Sequence, residues 1–351
     1  MNLQTLGYNR FFEQEFSTFN DNQVIVGRIA LEHKHLYRVL TEHGELLCEI
    51  SGKFVFQAEK REDYPAVGDW VVIKPSLDEG KGMILAILPR QSKFSRKTAG
   101  NVTEEQIVAT NVDTVFLVNS LNDDLNLRRM ERYLLLAWES GANPVIVLTK
   151  ADLCSDVQMK VKLVESVALG VPIVVISAVA GSGFEELAIH LLPGKTVALL
   201  GSSGVGKSTL TNYLLGVEKQ KIQSIRDADD KGRHTTTHRE LVVLPNGSLL
   251  IDTPGMREIQ LWEGGTGMAE SFSDIQELSS HCRYRDCKHE DEPGCAVTAA
   301  IEEGVMDLGR LQSYKKLEKE LAYLDRKLDK RAQSEEKKKW KKINKQIKQK
   351  R

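Results

Sequence analysis

Residues 201–208 read Gly-Ser-Ser-Gly-Val-Gly-Lys-Ser, which matches GxxxxGK[ST]. They sit between an apolar run, TVALL, and a helix-like stretch, STLTNYLLG. That context is the one a phosphate-binding P-loop requires. Its glycines let backbone N–H groups turn inward around phosphates, and the following helix adds its positive end. Gly201, Ser202, Ser203, Gly204, Val205, Gly206 and Thr209 supply the cradle. Lys207 is placed to reach the β- and γ-phosphates, and the Ser208 hydroxyl to bind Mg²⁺. Such a loop belongs on an α/β scaffold. The chain has the matching rhythm, because DTVFLVNS, PVIVLTK, PIVVISA, TVALLGSS, ELVVLP and SLLIDTPG alternate with helical stretches such as LRRMERYLLLAWES. Near-continuous Val/Ile/Leu strands joined by helices predict a mostly parallel sheet covered on both faces.

Three more strand ends carry chemistry. Asp252 and Gly255 bound the tetrapeptide Asp-Thr-Pro-Gly. The first suits Mg²⁺ coordination through water, and the amide of the second suits sensing of a γ-phosphate. Thr149, Lys150, Ala151 and Asp152 close PVIVL. A carboxylate there accepts two hydrogen bonds from guanine, and a site built to pair polar groups rejects the wrong base by roughly 10⁴-fold. Ser177 and Ala178 close the next strand and suit a companion loop against guanine O6. Between P-loop and DTPG runs RDADDKGRHTTTHRE, a polar stretch that reads as a switch loop. Among Thr235, Thr236 and Thr237 we favour Thr236 as the Mg²⁺ ligand. Met256 follows Gly255 where Ras-like enzymes place a water-orienting glutamine, so unaided turnover is expected to be slow. His234 is the nearest group able to position that water, an imidazole being able to accept or hold its proton. A plain switch-loop role for His234 stays open.

Cys282, Cys287, His289 and Cys295 fall within fourteen residues. Three thiolates and an imidazole are a preferred donor set of structural, tetrahedral Zn²⁺. The surrounding HCRYRDCKHEDEPGC has little apolar material to fold around, and His281 is an alternative imidazole. Cys48 and Cys154 stand alone and read as small buried hydrophobes.

The remaining chain divides by composition. Residues 1–21 are a polar leader. Residues 22–90 hold about five short alternating strands with glycine turns, an OB-fold-like β-barrel that periodicity alone does not separate from an SH3-like one. Residues 91–111 form a basic linker, 112–265 the nucleotide domain and 266–329 a zinc-binding helical module. In that module Leu317, Leu321, Leu324 and Leu328 mark one helix face. Residues 330–351 form a tail with eleven Lys or Arg against two Glu, although the whole chain of 351 residues has a net charge of −1. A basic end on a mildly acidic body points to an anionic partner. No stretch reaches the ~20 apolar residues of a membrane span, and the N-terminus lacks a secretory pattern, so a cytoplasmic protein with no membrane contact is expected.

These motifs resemble the translation-factor class of P-loop GTPases, with one departure in order. Here TKAD and SA precede the P-loop and DTPG comes last, the order of the circularly permuted GTPases. Thr149 stands where asparagine is commoner, so one contact to the P-loop is expected to weaken. With barrel, basic linker, GRHTTT and the Cys/His cluster added, residues 22–330 look like the ribosome small-subunit-dependent GTPase family. The resemblance implies a multi-domain protein: an N-terminal OB-fold barrel, a central α/β GTPase domain and a C-terminal, mostly helical zinc module. It further implies a monomer that uses GTP/GDP, Mg²⁺ and one structural Zn²⁺. It also implies slow GTP hydrolysis stimulated by the small ribosomal subunit, contact with its rRNA, and a role in late subunit assembly. Two rivals stay open: a nucleotide-gated RNA-binding switch acting away from the ribosome, and a scaffold whose nucleotide scarcely turns over.

Overall fold

This computed structural model describes residues 2–19, 21, 23–33, 36–97, 105–122, 125–216, 239–252, 266–324 and 326. They fall into two compact units, Met1–Gln260 and Leu261–Arg351.

The first unit begins with the leader, which is not a mere polar extension. Asn2 caps a 3-10 turn at Leu3–Leu6, and Asn9 accepts hydrogen bonds from the amides of Phe11 and Phe12 to start a helix at Arg10–Phe16. Leu6 and Phe12 are buried. Phe12 lies 5.6 Å from the Trp70 ring, and Tyr8 meets the same ring edge-on at 5.0 Å. Two apolar residues at the right spacing anchor a segment whose composition is otherwise polar.

Strands β1 (Ile25–His33), β2 (Leu36–Thr41), β3 (Gly44–Ile50), β4 (Trp70–Ser76) and β5 (Lys81–Ile87) form a closed circuit, β1-β2-β3-β5-β4-β1. The β3–β5 pair is parallel and the others antiparallel. This strand order is that of an OB-fold, which settles the choice left by periodicity. Inward residues Ile29, Tyr37, Val39, Leu46, Cys48, Val71, Ile73 and Ile84 fill the barrel. Burial pushes the Cys48 thiol up to about 12, in keeping with a packing role.

The basic linker is also structured. Strands β6 (Lys93–Lys97) and β7 (Glu105–Thr110) pair as an antiparallel ribbon. Phe94, Ile107, Val108 and Ala109 are buried in it.

The nucleotide domain follows with β8 (Thr114–Ser120), β9 (Asn143–Thr149), β10 (Ile173–Val175), β11 (Thr196–Leu200), β12 (Glu240–Val243) and β13 (Leu249–Asp252). Their order is β10-β9-β8-β11-β13-β12, parallel except for the antiparallel β12. The chain grows outward from β8 to β10, then returns to the other side of β8 as β11. That reversal opens a crevice beyond the carboxyl ends of β8 and β11, where open α/β sheets bind ligands. Strand β12 in turn pairs with β1 at Leu31↔Glu240, so barrel and nucleotide sheet are hydrogen-bonded into one eleven-stranded sheet.

Arg28, 1% exposed, ties leader and linker to the barrel. Its guanidinium donates to the carbonyls of Leu6 (2.5 Å), Gly68 (3.2 Å) and Asn111 (2.9 Å), which belong to leader, barrel and linker end. Burial lowers its pKa to about 10 against the opposing pull of Asp113 and Asp69, so it stays charged at neutral pH.

In the second unit, helices Thr266–Ser271, Ser273–Ser280 and Ala296–Glu302 and a helical stretch over 308–324 surround Phe272, Ile275, Val297, Leu311, Leu317 and Leu321. Buried Arg310 forms a two-pronged pair with Asp274 at 2.6 and 2.7 Å and lies over the Phe272 ring. Leu317 and Leu321 face inward as the sequence predicts, Leu324 is half-buried, and Leu328 lies outside the described residues. Among the described residues, no helix is long and apolar enough to cross a membrane.

Candidate nucleotide site and metal centre

Strand β11 is buried along its whole length, and the chain leaves it at Gly201. A Cβ there would lie 2.3 Å from the Val118 carbonyl oxygen of β8, so only glycine lets the loop start. The turn ends at Gly206, whose φ of 97 would strain any other residue, and the helix Lys207–Leu214 starts there. Lys207 folds back over the loop, its Nζ donating to the carbonyls of Gly201 (2.7 Å) and Ser202 (2.5 Å). Ser208 is exposed in the first turn of the helix, and Val205 is buried beneath the loop. Asp252 ends β13, hydrogen-bonded beside β11, so its backbone reaches the same sheet edge as the P-loop.

The TKAD segment leaves β9 at that edge too. Thr149 Oγ1 donates to the Val205 carbonyl at 2.5 Å, with the Asn119 carbonyl at 3.4 Å. Threonine thus keeps a tie to the P-loop where asparagine is commoner. The hydroxyl is short, but the two backbones approach closely enough for it to span the gap. Lys150 takes a left-handed conformation (φ 57, ψ 40), turning the chain so that Ala151 and Asp152 enter a 3-10 turn at Ala151–Leu153. The Asp152 carboxylate, exposed on its outer side, accepts a hydrogen bond from Ser177 Oγ at 2.5 Å. Ser177 Oγ in turn accepts from the Ala180 amide at 3.0 Å. Half-buried Ala178 packs against the core behind. Thus Thr149, Lys150, Asp152, Ser177 and the P-loop converge at the carboxyl ends of β9, β10 and β11. His234, Thr236, Gly255 and Met256 lie outside the described residues, as does the 330–351 tail.

Removing the Thr149 hydroxyl as Thr149→Val is expected to cost about 1–3 kcal/mol of stability, because the buried Val205 carbonyl loses its donor. Urea denaturation of the nucleotide-free protein measures this. An unchanged midpoint would show that the bond carries no energy.

The Cys/His cluster closes on itself in the second unit. Ligand atoms of Cys282, Cys287, His289 and Cys295 all lie within 4.8 Å of one another. Cys282 and Cys295 Sγ are 3.9 Å apart, and His289 Nδ1 lies 3.7 and 3.5 Å from those sulfurs. With Zn–S of ~2.3 Å and Zn–N of ~2.0–2.1 Å, tetrahedral ligand atoms sit roughly 3.5–3.8 Å apart, so the donor set fits one such ion. Cys295 caps the helix Ala296–Glu302 and accepts from the Thr298 amide at 3.4 Å. Burial opposes its ionisation, but hydrogen bonds from Thr298 and its cluster neighbours prevail and lower its thiol to about 6. His281 points elsewhere, its Nδ1 3.0 Å from the Glu277 carbonyl.

The comparisons with known proteins accord with this geometry. The family description RsgA GTPase matches residues 87–262, which span β6 to β13 and contain TKAD, SA and the P-loop. The small ribosomal subunit biogenesis GTPase RsgA of Opitutus terrae is 46% identical over 98% of this chain and 96% of its own length. The chain belongs to the RsgA GTPase family. Another relative, the small ribosomal subunit biogenesis GTPase RsgA 2 of Lactiplantibacillus plantarum, is 47% identical over 92% of this chain and 91% of its own. The crystal structure of YjeQ from Thermotoga maritima covers 85% of the chain and 99% of its own at 30% identity, with a TM-score of 0.63. YloQ, described as a circularly permuted GTPase, covers 87% and 97% at 26% identity, with a TM-score of 0.61. An ABC transporter description also matches residues 184–349. That range holds the P-loop both classes share, while residues 149–152 precede it. As an RsgA GTPase the protein binds guanine nucleotide and hydrolyses GTP.

Two features of these sites were hidden in the sequence. The bond from Thr149 to Val205 joins residues 56 apart. Ser279, beside His289, precedes the first cysteine by three positions and matches no ligand pattern.

Proposed function

We propose that this protein is a GTP-hydrolysing maturation factor of the small ribosomal subunit whose turnover the subunit controls. The observation that carries the reading is the attachment of the barrel to the strand that leaves the switch loop. Arg239 and Glu240 follow that loop directly. Arg239 Nη1 donates to the Ile107 carbonyl of β7 at 3.2 Å, and Glu240 is ion-paired with Arg38 of the barrel. A partner that grips the barrel therefore pulls on one end of the segment that must order around the γ-phosphate. Relatives named for small-subunit biogenesis, aligned over nearly the whole chain, supply the partner.

In this reading Lys207 and the P-loop amides hold the β- and γ-phosphates, and Asp152, oriented by Ser177, selects guanine. Lys150 covers the base, and Ala178 lines the O6 pocket. Ser208 and Thr236 hold Mg²⁺, with Asp252 acting through water. When bound, the ion would neutralise charge on the phosphates. Gly255 reports the γ-phosphate, and His234 orients the attacking water. Cys282, Cys287, His289 and Cys295 hold one structural Zn²⁺, and the basic tail adds rRNA affinity. The protein works as a cytoplasmic monomer away from membranes.

Turnover measured with small subunits, large subunits and neither tests this. Intrinsic rates of such enzymes are slow, roughly 10⁻⁴ to 10⁻² s⁻¹. Small subunits alone are expected to accelerate the wild type, and His234→Ala to lose most of that acceleration while keeping GTP affinity. An unstimulated wild type overturns the function, whereas a fully stimulated variant overturns only the role of His234.

A further inference from the structure

The hydrogen bonds around His289 decide which of its ring nitrogens is free to bind a metal. Ser279, on the helix Ser273–Ser280, has its Oγ 2.7 Å from the Ile275 carbonyl oxygen and 3.0 Å from His289 Nε2. A carbonyl oxygen has no hydrogen to give, so the single serine hydrogen is committed to Ile275. What the hydroxyl turns to the ring is a lone pair, and Nε2 must carry the ring proton to meet it. In a neutral imidazole that leaves Nδ1 unprotonated. Nδ1 is the nitrogen that lies 3.7 and 3.5 Å from the sulfurs of Cys282 and Cys295.

The loop presenting the ring is held by the same economy of donors. His289 sits at a φ of 56, a left-handed conformation in which non-glycine residues need support. Lys315 Nζ donates to the His289 carbonyl at 3.1 Å, from the helical stretch over 308–324. The Glu292 carboxylate accepts from the amides of Lys288 and Glu290 at 2.7 and 2.8 Å, one on each side of His289. These bonds direct the ring and brace the backbone on either side of it.

We propose that Ser279 is the positioning residue of the metal centre: it fixes the Nε2–H tautomer of His289 and thereby makes Nδ1 the metal donor. The proposal rests on the zinc reading above. A hydrogen-bonded outer partner of a ligating histidine stabilises its tautomer and orientation, and its loss commonly lowers metal affinity ~10–100-fold.

The test uses the full chain and Zn²⁺ in competition with a chromogenic chelator. Ser279→Ala is expected to bind Zn²⁺ ~10–100-fold more weakly than wild type. Ser279→Thr, which keeps a hydroxyl at the same carbon, is expected to restore most of the affinity. Nitrogen-15 spectra of the zinc-loaded wild type should show a metal-bound Nδ1 and a protonated Nε2 on His289. Binding of GTP by each variant checks that the first unit is intact. A wild type that takes up no zinc would overturn the zinc reading itself. Zinc bound equally well by wild type and Ser279→Ala, or bound through Nε2, would overturn the role of Ser279 alone. A threonine variant as weak as the alanine one would assign the loss to lost side-chain fit and overturn that role too.

Discussion

Asp152→Asn is expected to lower GTP affinity by about 10³-fold or more and to raise affinity for xanthosine triphosphate. The reason lies in the residue behind the carboxylate. Ser177 Oγ already accepts from the Ala180 amide, so it donates to Asp152. An asparagine in its place must turn its carbonyl oxygen to that hydroxyl and its NH₂ outward. Guanine also presents an NH₂ there, and two donors meet. Xanthine presents an oxygen at the same position and restores a donor–acceptor pair. Titration of both nucleotides against wild type and variant reads the exchange. A variant that still preferred GTP, or a wild type binding ATP and GTP alike, would remove Asp152 from base selection.

Cys287→Ser is expected to abolish zinc binding and unfold the chain around residues 280–300. No residue from 281 to 294 is buried, so apolar burial cannot hold that segment in place. Structural zinc sites contribute an apparent ~10–16 kcal/mol in small peptides at neutral pH, far more than the few contacts that would remain. Serine stays protonated at neutral pH and cannot replace the thiolate. Metal analysis should fall from one zinc per chain toward none, and hydrogen exchange over 280–300 should become fast. Nucleotide binding belongs to the other unit and should be largely retained. Wild-type protein purified without chelator and free of zinc would refute the assignment.

How far each feature could be read in advance follows from the distance over which its cause acts. The P-loop was legible because its cause is local: an apolar strand, glycines where the backbone must turn at Gly201 and Gly206, and a helix start at Lys207. The zinc ligands were legible for the same reason, all four lying within fourteen residues. The permuted order of TKAD, SA, P-loop and DTPG is a property of the chain itself. The parallel class of the sheet follows from long apolar strands joined by helices.

What the sequence left open depended on partners far along the chain. The leader read as polar because Leu6 and Phe12 gain meaning only from Trp70 and from Arg28, which bonds carbonyls up to 83 residues away. The linker read only as basic, without its strands, because a two-stranded ribbon must have its register set across an intervening loop. The barrel could be counted in strands but not ordered, since β3–β5 pairing joins runs that are not consecutive. The partner of the Thr149 hydroxyl was not legible because it lies 56 residues away, at Val205. Composition, motif order and local periodicity were therefore determined by the sequence alone. Register, strand order and the partners of single polar groups were decided by tertiary structure, because each requires two segments, separately unremarkable, to be brought within 3 Å.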